Sequence, residues 1–417
     1  MSREIRPRER VSATLTLPGS KSFTHRALIA AALAEGESRL TNALKAEDTE
    51  LTAQALGRLG AGIEWQGATV RVMGSGGRLK PVAEPLHLGN SGTSMRFLTA
   101  LAALGTGQYV LTGSPRLCER PMGELLEALQ QLGVKAVSQR GDGCPPVVVQ
   151  GGLAGGRASL SGAVSSQYLS ALLFIGPLAP RGVEIEVTGE LVSRPYINMT
   201  LEVLAGFGIS HYREGYRYFR VPGGQEYAPQ DYAIEGDASS ASYFWAAAAL
   251  TGGRVTITNL SLESCQGDID FLSVLARLGC RIDSSPTGLT VAGGPLQGIQ
   301  VNMANMPDLV PTLAVLAAFA RGDTVITGAA HLRHKESDRL AAVAAELGKM
   351  GIEVQETEDG LIIHGGQPRG AEIETYQDHR IAMAFAVAGL RVPGVVIKDP
   401  GCVAKSFPDF WEFLDRL

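Results

Sequence analysis

Residues 340–363 read LAAVAAELGKMGIEVQETEDGLII. An Ala-rich helical segment runs to Met350-Gly351, a short alternating strand follows over Gly351-Ile352-Glu353-Val354, and a turn leads into the apolar run Leu361-Ile362-Ile363. Glycine suits the position just past a helix end, because left-handed backbone there carries no Cβ penalty. The same apolar-Gly pair ends a helical segment at Leu59-Gly60, Leu132-Gly133, Phe207-Gly208 and Leu278-Gly279. Successive glycines lie 73, 75, 71 and 72 residues apart, so the chain repeats one unit.

A second helical segment, small and Ala-rich, recurs at that period. Its copies begin near Ser20, Ser91, Ser166, Ala238, Asp308 and His379, and lead into β-branched strands such as Val255-Thr256-Ile257 and Thr324-Val325-Ile326. Each unit reads helix, strand, helix, strand, strand, which predicts an α/β or α+β fold with sheets layered on helices. The period is too long for a solenoid of short repeats, so the copies are expected to group into compact domains. The sixth copy ends after the helix Pro408 to Leu414 with no hairpin, and strands within Ile5 to Leu17 are expected to complete it. A three-plus-three grouping then predicts an inserted domain over residues 20–234 and a second domain over 1–19 plus 235–417, containing both termini.

The 417 residues are 45% hydrophobic and 19% charged, ordinary soluble material for two or a few domains. The first ten residues mix both charge signs and lack an apolar core, unlike a secretory signal. The longest apolar run, around Ala241 to Leu250, falls far short of the ~20 residues of a membrane span. A cytoplasmic protein without membrane partners, and a monomer, is the expectation. A net charge of −5 argues against broad nucleic-acid binding, so any anionic ligand has to be met by a local cluster. The five cysteines form no CxxC pair, and His331 with His334 is only a weak metal candidate.

The polar residues concentrate where the Ala-rich helices begin: Gly19-Ser20-Lys21-Ser22, Asn90-Ser91-Gly92-Thr93, Ser165-Ser166-Gln167, Gly236-Asp237-Ala238-Ser239, Pro307-Asp308 and Asp378-His379-Arg380. Simple N-capping accounts for Ser, Asn and Asp at such places. It does not call for Lys21, Arg26 or Arg380, whereas free backbone N–H groups and the helix dipole make each start an anion site. Arg120 before Pro121, Lys335 with Arg339 four residues on, and Lys405 before Pro408 add cations near further helix starts, against the dipole unless an anion lies among them. Lys335 and Arg339 are expected on one helical face. Asp308 and Glu336 offer carboxylates for proton transfer beside such an anion, although Asp308, following the favoured N1 residue Pro307, equally suits a helix first turn where its charge is welcome. Gly19-Ser20-Lys21-Ser22 mimics the end of a P-loop, but Thr16 stands where its first glycine belongs, and nucleotide binding is unsupported.

At these residues the chain resembles the 5-enolpyruvylshikimate-3-phosphate synthases. The motifs that carry the likeness are Leu17-Pro18-Gly19-Ser20-Lys21-Ser22 with Arg26, Leu88-Gly89-Asn90-Ser91-Gly92-Thr93 with Arg96, Glu119-Arg120-Pro121-Met122 and Ser165-Ser166-Gln167-Tyr168. They continue with Gly236 to Ala241, Pro307-Asp308, Lys335 to Leu340, Asp378-His379-Arg380 and Ala404 to Pro408. Nine motifs in order over residues 17–408 make a specific signal. The resemblance implies two domains of three βαβαββ repeats each, with mixed sheets in an inside-out α/β barrel and an active site in the cleft between the domains.

It implies transfer of the enolpyruvyl group of phosphoenolpyruvate to the 5-hydroxyl of shikimate 3-phosphate by addition and elimination, with no metal or organic cofactor. By the same resemblance, Lys21, Ser22, Arg26, Ser165, Ser166, Gln167, Ser193, Asp308 and Lys335 hold shikimate 3-phosphate. Lys21, Gly92, Arg120, Gln167, Arg339, Arg380 and Lys405 hold phosphoenolpyruvate, and Asp308, Glu336, Lys405 and Lys21 serve catalysis. It also implies that the herbicide glyphosate occupies the donor pocket. Three positions depart from the family's pattern: Phe97 stands where many members have Pro, His331 where some have Asn, and Arg194 replaces a frequent Lys beside Ser193. A related cell-wall transferase acting on UDP-N-acetylglucosamine carries a Cys-containing loop a few residues before an Arg-Pro pair. Cys118 lies only two residues before Arg120, too close for that loop. An RNA 3′-phosphate cyclase would need a reactive His and a more basic surface, and a non-catalytic scaffold has no use for the cations and carboxylates.

Overall fold

A computed structural model describes all residues, 1–417. The chain forms two compact units, Met1–Pro18 with Gly236–Leu417, and Gly19–Glu235.

Within Gly19–Glu235, three open four-stranded sheets share one plan. In the first, Asp231–Ala233 runs parallel to Glu35–Thr41, which pairs antiparallel with Thr69–Ser75, itself a hairpin with Gly62–Gln66. The second has Leu86–His87, Gln108–Thr112, Val147–Gln150 and Lys135–Ser138 in the same order, and the third Gly156–Ser161, Val183–Thr188, Tyr218–Val221 and Tyr212–Glu214. The other unit repeats the plan. Ser12–Leu15 runs parallel to Arg254–Ile257 beside the hairpin Arg281–Ser285 and Gly288–Ala292, and Gln300–Asn302 runs parallel to Asp323–Thr327 beside Val354–Glu356 and Leu361–His364. The last sheet has three strands, Ser2–Glu4, Val396–Lys398 and Glu372–Ile373.

Two expectations are corrected here. Only Ser2–Glu4 completes the sixth repeat, antiparallel to Val396–Lys398; the later N-terminal strand, Ser12–Leu15, serves the fourth repeat. It takes the place of the strand that should precede helix Ala238–Thr251, while Asp231–Ala233 takes the corresponding place before helix Lys21–Leu33. Nor is there a closed barrel: each of the six sheets is separate and open, because five end on the outer strand of their own hairpin and the sixth ends on Ser2–Glu4, none pairing onward.

Two helix types follow from two sequence patterns. Glu47–Arg58, Gly123–Gln131, Phe271–Leu278 and Arg339–Lys349 bury one stripe and expose the other, as amphipathic helices do. Lys21–Leu33, Gly92–Ala102, Ser166–Ile175, Ala238–Thr251, Val310–Ala318 and His379–Gly389 are buried almost all round, which their small and apolar residues on every face permit. Inside the unit with both termini, the helices beginning at Ala238, Val310 and His379 pack on one another and form its centre. Trp245, Phe244, Leu313 and Phe385 are there without solvent contact. The amphipathic helices end as the repeat predicts, with Gly60, Gly133, Gly208, Gly279 and Gly351 all at positive φ, between 81° and 119°. No helix is long and apolar enough to cross a membrane.

Candidate active site

Five of the six buried helices start on a side chain that caps them. Ser20 Oγ accepts from the Phe23 N–H, Ser91 Oγ from Ser94, Ser165 Oγ from Gln167, Asp237 Oδ1 from Ser240 and Asp378 Oδ1 from Arg380, at 2.6–3.4 Å. Capping thus accounts for these five polar residues. The remaining start differs. Pro307–Leu309 is a 3-10 turn without a side-chain cap, and Asp308 instead meets two guanidinium groups, 2.9 Å from Arg339 Nη1 and 2.7 Å from Arg380 Nη2.

Arg339 is the hub of that cluster. Besides Asp308, its Nε reaches Asp378 Oδ2 at 2.8 Å and its Nη2 reaches Glu336 Oε2 at 3.0 Å. Lys405 Nζ stands 3.6 Å from the other oxygen of Glu336. Arg339, Arg380 and Lys405 are each 5% exposed or less. Burial opposes the Arg339 charge, but Asp378, Glu336 and Asp308 together outweigh it and raise its pKa above the ordinary value. The result is a strip of alternating charge with buried cations and partly buried carboxylates, Lys405–Glu336–Arg339–Asp308–Arg380, in which each carboxylate lies beside two cations. His331 borders it: burial, reinforced by the charge of Lys335, lowers its pKa to about 3 and keeps the imidazole neutral.

Three local readings change. Asp338 caps the Ala341 N–H at 3.1 Å, so the helix starts at Arg339 and Lys335 sits in extended backbone before it, not on the same helical face. Arg120 does not open a helix, because the 3-10 turn Leu117–Glu119 ends on it and Gly123–Gln131 starts later. His331 and His334 lie in the 3-10 turn Ala330–His334, and no group of three or more His, Cys, Asp or Glu is placed to hold a metal ion.

The other unit gathers its own cations. Arg26, 1% exposed, donates to Thr200 Oγ1 at 2.9 Å and to the carbonyls of Ser22 and Tyr196 at 2.9 and 3.0 Å, under the ring of Phe97 at 5.3 Å. Lys21 Nζ pairs with Asp48 at 3.2 Å. A Cβ on Gly92 would stand 2.7 Å from both terminal nitrogens of Arg120 and 2.3 Å from Arg96 Nη1, so the bare backbone of that helix start is pressed against two guanidinium groups. Gln167 Nε2 donates to Thr93 Oγ1 at 3.0 Å, which joins the second and third helix starts. Ser166 is buried, and Ser193 holds a φ of 55°, a left-handed conformation uncommon for serine. Cys118 turns its thiol toward the Gly113 carbonyl and Thr112.

Two participants carried no signal of their own in the sequence. Asp48 lies in an acidic first turn, where carboxylates are common, and only the fold aims it at Lys21. Asp268 lies in the turn Gly267–Asp270, far from any helix-start motif, yet it is buried and accepts a hydrogen bond from Ser239.

The family model of EPSP synthase (3-phosphoshikimate 1-carboxyvinyltransferase) matches residues 5–414. A 3-phosphoshikimate 1-carboxyvinyltransferase of Syntrophobacter fumaroxidans is 47% identical over 421 residues, covering 100% of both chains. Another, of Escherichia coli O6:H1, is 44% identical over 418 residues, covering 99% of this chain and 98% of its own. The solved EPSP synthase of Acinetobacter baumannii superposes with a TM-score of 0.81 at 33% identity, covering 100% of this chain and 98% of its own. A match that runs the full length in sequence and fold places the chain in the EPSP synthase family, the transferases that move the enolpyruvyl group of phosphoenolpyruvate onto shikimate 3-phosphate.

Proposed function

We propose that this chain carries out its family's transfer with its own charged residues in distinct roles. Arg339, Arg380, Lys405, Arg120, Gln167, Lys21 and the Gly92 backbone hold phosphoenolpyruvate. Lys21, Ser22, Arg26, Ser165, Ser166, Gln167, Ser193, Asp308 and Lys335 hold shikimate 3-phosphate. Each substrate carries a phosphate and a carboxylate, and planar guanidinium groups pair with both in two-pronged fashion. The observation that carries the reading is the strip of alternating charge through the buried Arg339, where the carboxylates proposed for proton transfer stand against the cations proposed to bind the donor.

The chemistry divides into two steps. In the addition, the 5-hydroxyl oxygen bonds to C2 of the donor, the hydroxyl proton passes to Asp308, and C3 gains a proton to become a methyl. In the elimination, the C2–O bond to phosphate breaks and the methyl returns a proton, leaving the enol ether and free phosphate. Glu336 and Lys405, 3.6 Å apart, are the pair that delivers and recovers the C3 proton and protonates the leaving phosphate. Lys21 adds positive charge where phosphate charge develops. The test is phosphate release from phosphoenolpyruvate with two acceptors. Release with shikimate 3-phosphate and none with UDP-N-acetylglucosamine is expected; the reverse would assign the chain to the cell-wall reaction.

A further inference from the structure

The buried carboxyl of Asp268 has no part in the roles above, and its surroundings are unusual. Asp268 is 4% exposed; one carboxyl oxygen accepts a hydrogen bond from Ser239 Oγ, and the other has no hydrogen-bond partner. An enclosed carboxyl with an unsatisfied oxygen costs stability. Burial pushes its pKa up to about 7, with Arg380 pulling it down and Asp308 and Asp237 pushing it up. The segment that carries it is clamped to the helix start at Ala238: Gln266 Oε1 accepts from the Ala238 N–H at 3.1 Å, and its amide donates to the Gly236 carbonyl at 2.8 Å.

The other side of Ser239 faces Arg380. Arg380 Nη2 donates to Ser239 Oγ at 3.3 Å and lies 2.7 Å from Asp308, while Nη1 donates to the Tyr243 hydroxyl at 3.3 Å. A serine hydroxyl has one proton and two lone pairs. Once its proton is committed to Asp268, only lone pairs face the guanidinium. We propose that Asp268 is a positioning residue for Arg380: it fixes the Ser239 hydroxyl as an acceptor and so sets the angle at which Arg380 meets phosphoenolpyruvate. The inference rests on the proposed role of Arg380 as a donor ligand.

The test is steady-state kinetics of the full chain with both substrates, for Asp268→Ala, Asp268→Asn, Ser239→Ala, Arg380→Ala and the double variant Asp268→Ala with Arg380→Ala. Asparagine still offers an oxygen to the Ser239 hydroxyl, whereas alanine does not. Asp268→Ala and Ser239→Ala are expected to raise KM for phosphoenolpyruvate by ~10-fold, with kcat and KM for shikimate 3-phosphate changed by less than about threefold, while Asp268→Asn stays near the parent. The double variant should match Arg380→Ala alone, because a residue that acts only through Arg380 has nothing left to act on. Additive losses in the double variant, or an equal loss in Asp268→Asn, overturn the proposal. If Arg380→Ala itself leaves KM for phosphoenolpyruvate unchanged, the assignment of Arg380 fails instead. Should Asp268→Ala not fold, Ser239→Ala and Asp268→Asn decide by the same criteria.

Discussion

Glycine 92 and Glu336 carry the sharpest consequences of single side chains. The Gly92 methyl of an alanine variant would meet Arg120 and Arg96 rather than open space, so Gly92→Ala must push both guanidinium groups back. Phosphoenolpyruvate should bind several-fold more weakly, and the longer glyphosate should lose more. Inhibition curves at matched phosphoenolpyruvate check this, and equal inhibition of parent and variant would place Gly92 away from the donor. Glu336→Gln keeps the shape but cannot cycle a proton, so kcat should fall by ~10²-fold with KM little changed. Loss of affinity alone would make Glu336 an organiser of Arg339 and Lys405. Asp268 adds a pH effect on stability. Its folded pKa of about 7 lies above the ordinary 3.8, so the folded state holds the extra proton between these values and loses stability as pH rises through that window. Asp268→Asn should therefore gain on the parent from pH 4 to 7, by up to about 4 kcal/mol, and level off above. Melting temperatures of both proteins across that range check the sign.

Among the elements, the helix Arg339–Lys349 is tied at both ends to the segment Glu374 to Asp378. Arg339 starts it, and Glu346, buried on its last turn, accepts from Lys349 Nζ at 2.7 Å, the Tyr376 hydroxyl at 2.6 Å and the Glu374 N–H at 3.1 Å. Tyr376 and Gln377 are consecutive non-glycine residues with φ of 54° and 55°, directly before Asp378. Such left-handed pairs cost about 1–2 kcal/mol per residue and persist only where contacts hold them. Glu346→Ala removes that hold and should destabilise the protein by about 3 kcal/mol, well beyond Lys349→Ala, whose side chain is partly exposed. Thermal unfolding of the two variants distinguishes them; equal small losses would leave the turn held by other contacts. The Gly past each amphipathic helix was legible, because positive φ there is a local demand. The paired strain at Tyr376 was not, since neither residue type announces it.

For the whole molecule, the proposed donor ligands fall in both units: Lys21, Gly92, Arg120 and Gln167 in Gly19–Glu235, and Arg339, Arg380 and Lys405 in the other. If both sets act on one donor, Arg120→Ala and Arg380→Ala should each raise KM for phosphoenolpyruvate by ~10-fold or more. A variant of either unit that leaves KM unchanged would confine the donor to the other.

The repeat, the α/β class and the family were readable from the chain alone, because a period of about 72 residues and nine polar motifs are local patterns that survive without coordinates. Strand partnership was not. Ser12–Leu15 and Asp231–Ala233 are short strands with no sequence mark of the sheet they join, and each pairs with a strand some two hundred residues away. The cations, too, were visible as letters, and capping at five helix starts was a local inference. That Asp308 forgoes a cap to stand between Arg339 and Arg380, and that Asp268 closes on Ser239, are long-range placements. Their energies depend on burial and on distances of a few ångströms, which only the folded chain sets.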